Sequence, residues 1–186
     1  LGKVTKIQNE GTNKTFWLKS SLTPELKIDQ SLSHNGVCLT VTAIDGDQYS
    51  VTAVQETLSK SNLGQLSVDD LVNLERCMPA NGRFDGHIVQ GHVDQTGICS
   101  EFTQLDGSWL FDFTYDPSLG NMTVEKGSIS INGTSLTVFN STEKSFRVTI
   151  IPYTFEHTNF NKLKKGDVVN LEFDIVGKYI QRMMQR

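Results

Sequence analysis

Apolar residues recur at every second position through most of this chain. Leu39, Val41 and Ala43, and then Tyr49, Val51 and Ala53, alternate with Thr40, Thr42, Ser50 and Thr52. That period of two marks strands with one buried face. Asp45-Gly46-Asp47 separates the two runs with residues that tolerate positive φ, and predicts a tight hairpin. The alternation stops from Glu56 to Asn62, in a polar stretch ending at Gly64, which predicts one or two helical turns with a glycine stop. Leu71 to Arg76 predicts another strand.

Met78 to Arg83, with Pro79 and Gly82, is a turn-rich break, after which the same order returns. Strands are predicted at Gly97 to Phe102, Trp109 to Tyr115, Ser128 to Ile131, Leu136 to Phe139, Phe146 to Ile151 and Val168 to Phe173, with a helical turn at Phe155 to Asn159. Many short strands separated by turns indicate small closed antiparallel barrels, which leave no exposed sheet edge. Lys178 to Arg186 instead carries Tyr179, Ile180, Met183 and Met184 at helical spacing, the pattern of a short amphipathic helix that needs a partner.

The recurrence is literal. Ser33 to Val41 reads SHNGVCLTV and Ser130 to Val138 reads SINGTSLTV, 97 positions on, and the same shift carries Ser31 to Glu75 onto the second half without a gap. Thr57, Asn62, Leu66, Asp70 and the run Val72-Asn73-Leu74-Glu75 all return unchanged. The chain is an internal duplication. Its 186 residues therefore divide into an N-terminal unit (1–83), a C-terminal unit (84–175) and a terminal helix (176–186). Each unit is small enough to need support from the other half or from another chain.

Composition narrows the function. With 37% hydrophobic residues, 20% charged residues and a formal net charge of −4, the chain has no cationic footprint for nucleic acid and no apolar run long enough to span a membrane. The expected ligand is a small molecule. Cys38, Cys77 and Cys99 make an odd set without metal-type spacing, which points to free thiols in a reducing, cytoplasmic setting. His87 and His92 stand an odd number of positions apart, on opposite faces if the segment is a strand, with no third ligand in sight. No metal is expected.

Alone, each copy of Asn-Gly-x-x-Leu-Thr-Val reads as a turn entering a core strand. The ordered set says more. Ser33 to Val41, Glu56-Thr57-Leu58 with Asn62-Leu63-Gly64, Val72 to Arg76, Gly86-His87 with Gly91-His92-Val93-Asp94, and Ile150-Ile151-Pro152 together resemble the α-type riboflavin synthase family over essentially the whole chain. The resemblance implies an all-β fold of two tandem, similar six-stranded antiparallel Greek-key barrels and a C-terminal helix that assembles a homotrimer. It implies two molecules of 6,7-dimethyl-8-ribityllumazine as substrate, a four-carbon transfer between them that yields riboflavin and 5-amino-6-(ribitylamino)uracil, and no cofactor. Lumazine synthase is a further candidate partner.

The positions that match the family's motif supply the candidate residues. Cys38, His92 and Ser135 are the candidate catalytic groups: a thiol that acts as transient nucleophile or hydrogen-bonding group, an imidazole that moves protons near neutral pH, and a hydroxyl on the second lumazine. Candidate substrate-binding residues are Ser31, Val37, Thr40, Thr57, Gly86, His87, Lys126, Thr137, Ile151, Tyr153, Thr154 and Asp174. The two halves must differ for one lumazine to give and the other to receive. They do so at Cys38 against Ser135, Val37 against Thr134 and His34 against Ile131. His34 and His157 are expected to be surface or structural, and the recurring Asn-Leu-Glu is as well explained by a barrel-closing strand as by function.

Family members usually begin with a segment like Met-Phe-Thr-Gly-Ile-Ile-Glu, the first-barrel counterpart of Gly91-His92-Val93-Asp94, and the sequence here starts just after it. A protein without that piece is expected to turn over poorly. Two other readings share the duplicated barrels: a non-catalytic carrier of the lumazine-protein type, and a purely structural module. Cys38 together with His92 favours the enzyme, since a carrier needs no reactive pair.

Overall fold

The computed structural model describes residues 1–79, 81–84 and 86–184. The first half contains β1 (Gly2–Glu10), β2 (Asn13–Lys19), β3 (Ser31–His34), β4 (Val37–Asp45) and β5 (Gln48–Ala53), then α1 (Gln55–Lys60), β6 (Leu71–Val72) and β7 (Leu74–Arg76). Neighbouring strands run in the order β6-β1-β2-β5-β4-β3-β7, all antiparallel. The predicted strand from Leu71 to Arg76 is broken at Asn73, and its two halves pair with opposite ends of that order, β6 on β1 and β7 on β3. One interrupted strand thus closes the sheet into a six-stranded Greek-key barrel.

The second half repeats this with β8 (Gln95–Leu105), β9 (Ser108–Thr114), β10 (Ser128–Ile131), β11 (Thr134–Thr137), β12 (Ser145–Ile150), α2 (Pro152–His157) and β13 (Val168–Phe173). Its order is β11-β10-β13-β8-β9-β12, and a single bridge between Phe139 and Arg147 joins the two ends. β13 changes partner at Leu171, from β8 to β10, much as its counterpart does at Asn73. A terminal helix, α3 (Ile175–Met184), starts earlier than the period alone indicates, and the last two positions of the predicted helix lie outside the described residues. Ala80, in the predicted break between halves, does so too.

Each barrel has its own core. Val4, Phe16, Leu18, Leu32, Val41, Tyr49, Val51 and Leu63 fill the first. Phe111, Phe113, Phe146 and Phe160 fill the second with edge and stacked ring contacts at 5.2 to 6.5 Å. His34 is inside the first core, not on the surface: Nε2 lies 2.9 Å from the Tyr49 hydroxyl and Nδ1 lies 3.0 Å from the Leu32 carbonyl. Ile131 and Phe146 hold the corresponding places in the second barrel.

The halves meet across an approximate two-fold axis made by the repeated turns. Asn35-Gly36 and Asn132-Gly133 all have positive φ (48° and 79°, 47° and 81°), the backbone of a tight hairpin turn. The two glycines press together so closely that a Cβ on Gly36 would lie 2.7 Å from the Gly133 nitrogen, and one on Gly133 would lie 2.8 Å from the Gly36 nitrogen. Asparagines surround the contact. The Asn62 N–H donates to Asn170 Oδ1 at 2.6 Å and the Asn159 N–H donates to Asn73 Oδ1 at 2.8 Å. Asn73 and Asn170 donate in turn through Nδ2 to the carbonyls of Asn132 and Asn35 at 2.9 and 2.8 Å. What looks like two turns in the sequence is the seam of the molecule.

Candidate functional site

The segment from Gly86 to Asp94 leaves the seam and runs along β13. Neither His87 nor His92 sits on a strand, so the opposite-face argument for that pair does not apply. Gly91, with φ 79°, turns its carbonyl to accept the Cys38 N–H at 2.8 Å, and Val93 packs against the first barrel's core. A strap from the second half of the sequence therefore lies on the first barrel at the candidate thiol. Glu172, buried at 2% exposure, fastens it: one carboxylate oxygen accepts the Gln90 N–H at 2.6 Å, the other the N–H groups of Gly91 and His92 at 2.9 and 3.1 Å. At the far end the Asp94 carboxylate accepts the Phe173 N–H at 2.9 Å and pairs with Lys178 of α3 at 2.6 Å.

Beside the seam a cavity of about 620 Å³ opens between the barrels, lined among others by Cys38, Asn73, His87, Gly91, Gly133 and Ser135. Cys38 is half-buried with a free thiol. Ser135 stands at the duplicate position on β11, 2.7 Å from Nδ1 of His87. Burial lowers the pKa of His87, against the opposing pull of Asp174 and Glu172, so its ring is neutral at neutral pH. Its Nε2 is buried without a protein partner among the described residues. Gly86, at φ 126°, leaves no room for a side chain, because a Cβ there would run into Ser135.

The other candidates form two matching rows outside that cavity. In the first barrel Ser31 and Thr40 face each other across β3 and β4, next to the pair Ser33 and Cys38. In the second, Ser128 and Thr137 face each other across β10 and β11, next to Ser130 and Ser135. Thr40 and Thr137 are exposed, because they alternate with inward-facing neighbours. Thr57 on α1 and Thr154 on α2 are half-buried counterparts. Val37 is buried at the start of β4, and Ile151 and Tyr153 are exposed around the start of α2, where the Tyr153 ring stacks on His157 at 4.1 Å. Lys126 sits at φ 64° with its ammonium 5.6 Å above the Phe139 ring. Asp174 caps α3 by accepting the Val176 N–H at 3.0 Å. The His92 side chain is exposed next to the strap's attachment at Cys38.

Two features were not singled out as functional from the sequence: the buried carboxylate of Glu172 and the asparagine seam. Their signal was there in the unbroken return of Asn73-Leu74-Glu75 as Asn170-Leu171-Glu172.

Comparison with known proteins accounts for the duplication. The lumazine binding domain model matches residues 1–77 and again 90–174. The chain belongs to the riboflavin synthase family. Riboflavin synthase of Actinobacillus pleuropneumoniae is 42% identical over 185 residues, covering 99% of this chain and 86% of that protein. Riboflavin synthase of Bacillus subtilis (strain 168) is 37% identical over 186 residues, covering all of this chain and 86% of that protein. In fold the chain superposes on LumP complexed with riboflavin with a TM-score of 0.84 at 22% identity, covering 92% of this chain and 94% of that one. LumP complexed with 6,7-dimethyl-8-(1'-D-ribityl) lumazine gives the same score at 19% identity. The family's two-barrel architecture is thus the one built here from the repeat.

Proposed function

We propose that the chain works as a riboflavin synthase: it binds two molecules of 6,7-dimethyl-8-ribityllumazine and transfers a four-carbon unit from one to the other, releasing riboflavin and 5-amino-6-(ribitylamino)uracil. The observation that carries this is the pair of near-identical rows, Ser31, Cys38, Thr40 and Thr57 against Ser128, Ser135, Thr137 and Thr154, that differ at the one position where chemistry needs a difference. Two like rings need two like cradles. Holding them face to face converts an encounter into a near-unimolecular step, and much of the rate enhancement comes from that arrangement.

Within this reading Cys38 serves the lumazine on the first barrel as nucleophile or hydrogen-bonding group, His92 moves a proton beside it, and Ser135 holds the second lumazine. Ser31, Val37, Thr40 and Thr57 form the first cradle, and Lys126, Thr137, Ile151, Tyr153, Thr154 and Asp174 the second, with Gly86 and His87 beside Ser135. The first barrel of one subunit faces the second barrel of its neighbour in a cytoplasmic homotrimer, joined through α3. That helix exposes Val176, Tyr179, Ile180, Met183 and Met184, a face that supports burial against another copy. Among the described residues no helix is long and apolar enough to cross a membrane.

The likeness to LumP favours one second reading, a carrier that holds a lumazine or flavin without converting it. The assay that separates them adds the lumazine and follows flavin absorbance. Catalytic growth of flavin supports the enzyme, stoichiometric binding without product supports the carrier, and absence of binding defeats both.

A further inference from the structure

We propose that Glu172 is a positioning residue for the reaction, setting the Gln90–His92 strap against Cys38; as a statement about rate this rests on the riboflavin synthase function proposed above. Three consecutive backbone N–H groups converge on one buried carboxylate at 2.6, 2.9 and 3.1 Å. They hold its charge as a nest of amides holds an anion, and each bond is of the charge-assisted kind. The middle residue of that nest, Gly91, passes the placement on, because its carbonyl accepts the Cys38 N–H at 2.8 Å. A carboxylate on the last strand of the second barrel thereby fixes the backbone of the thiol on the first.

Little slack exists along this path. A Cβ on Gly91 would lie 2.7 Å from that of Cys38, so any tilt of the strap is felt at the thiol and at the neighbouring His92. Asp94 anchors the strap's other end on Leu171 and Phe173, but no described residue besides Glu172 takes the side-chain part in holding Gln90, Gly91 and His92. Strand closure alone does not explain this acid, because its two oxygens are taken up by the strap's N–H groups and by no ladder bond of β13.

The test is Glu172→Gln in the full chain, with steady-state flavin formation and residue-resolved amide exchange measured on the same preparation. The amide keeps the shape but presents an NH2 where an oxygen accepted, so at least one strap bond is lost. Expected are a fall in kcat of roughly ten- to a hundredfold, from displacement of the reacting groups, with KM within about threefold. Exchange at Gly91, His92 and Cys38 should quicken while the rest of the second barrel keeps its protection. A carboxylate that merely stabilises the fold would loosen all of β13 and leave kcat per folded molecule unchanged; that result, or unaltered exchange at the strap, overturns the proposal. If the variant does not fold, Gly91→Ala displaces the strap with Glu172 intact and must give the same split between kcat and KM. Should wild-type protein form no flavin, the functional reading fails, and the exchange pattern alone decides whether Glu172 holds the strap.

Discussion

The buried pair His34 and Tyr49 makes the first barrel sensitive to acid at positions where the second barrel carries Ile131 and Phe146. Burial lowers the His34 pKa from its ordinary 6.5 to about 4, and the hydrogen bonds to the backbone only partly oppose it. Well above pH 6.5 the ring is neutral in both folded and unfolded chains and costs nothing. As the pH falls below that value the unfolded chain takes up a proton that the folded one refuses, so stability is lost until the folded pKa is reached. At pH 4.5 the loss from this one group amounts to about 2.5 kcal/mol.

The second barrel supplies the control. The double variant His34→Ile with Tyr49→Phe installs the residues that stand at the duplicate positions, Ile131 and Phe146. Both partners of the His34–Tyr49 hydrogen bond disappear together, and only the Leu32 carbonyl gives up a contact, the one it makes with Nδ1. Each half carries one tryptophan, Trp17 on β2 and Trp109 on β9, and a Trp109→Phe background lets fluorescence report the first barrel alone. Urea unfolding at about pH 7.5 and about pH 4.5 gives the stability at each. Wild type should lose about 2.5 kcal/mol more than the double variant over that interval. Parallel losses in the two proteins would refute the assignment of the acid sensitivity to His34.

Four further outcomes are expected. Cys38→Ser should lower turnover by roughly a hundredfold while lumazine affinity changes by less than about threefold; wild-type rates would reduce the thiol to packing. Ser135→Ala should weaken one of two lumazine sites by about 1 kcal/mol, or roughly fivefold, in a calorimetric titration, and equal weakening at both would contradict the assignment. Gly36→Ala should cost at least about 2 kcal/mol, from positive φ and the clash with Gly133, and thermal unfolding with the stability of wild type would show that the seam gives way easily. Phe160→Ala should cost about 3–5 kcal/mol in the second barrel, where it fills the centre of the aromatic core; Trp109 fluorescence in urea reads the loss.

Much of this architecture is legible in the alternation of Tyr49, Val51 and Ala53 and of Trp109, Phe111 and Phe113, because a half-buried strand states its inward face in every second residue. The duplication was legible for a different reason: without gaps, a shift of one register explains both halves. What the chain does not announce is which residues lie across from one another once the barrels meet. Asn35 and Asn132 carry the local signature of a turn, and nothing local says that two turns will stack backbone on backbone. Glu172 sits in an alternating strand where its acidity reads as an outward side chain, and only the passage of Gln90–His92 over it explains its burial. His34 likewise has a polar side chain in an inward position, and the satisfying partner, Tyr49, lies two strands on, on β5. Long-range pairing of polar groups, unlike burial of apolar ones, leaves no periodic trace.

The glycine contact at the seam also bears on ancestry. Either half, taken alone, carries both sides of it: a turn with Gly36 that needs a bare backbone opposite, an Asn62 amide that donates, and an Asn73 side chain that receives. Such a surface is isologous, and two separate copies of a single unit could join through it by a true two-fold rotation. Fusing the copies end to end then frees each to diverge, so that one can keep a thiol where its twin keeps a hydroxyl.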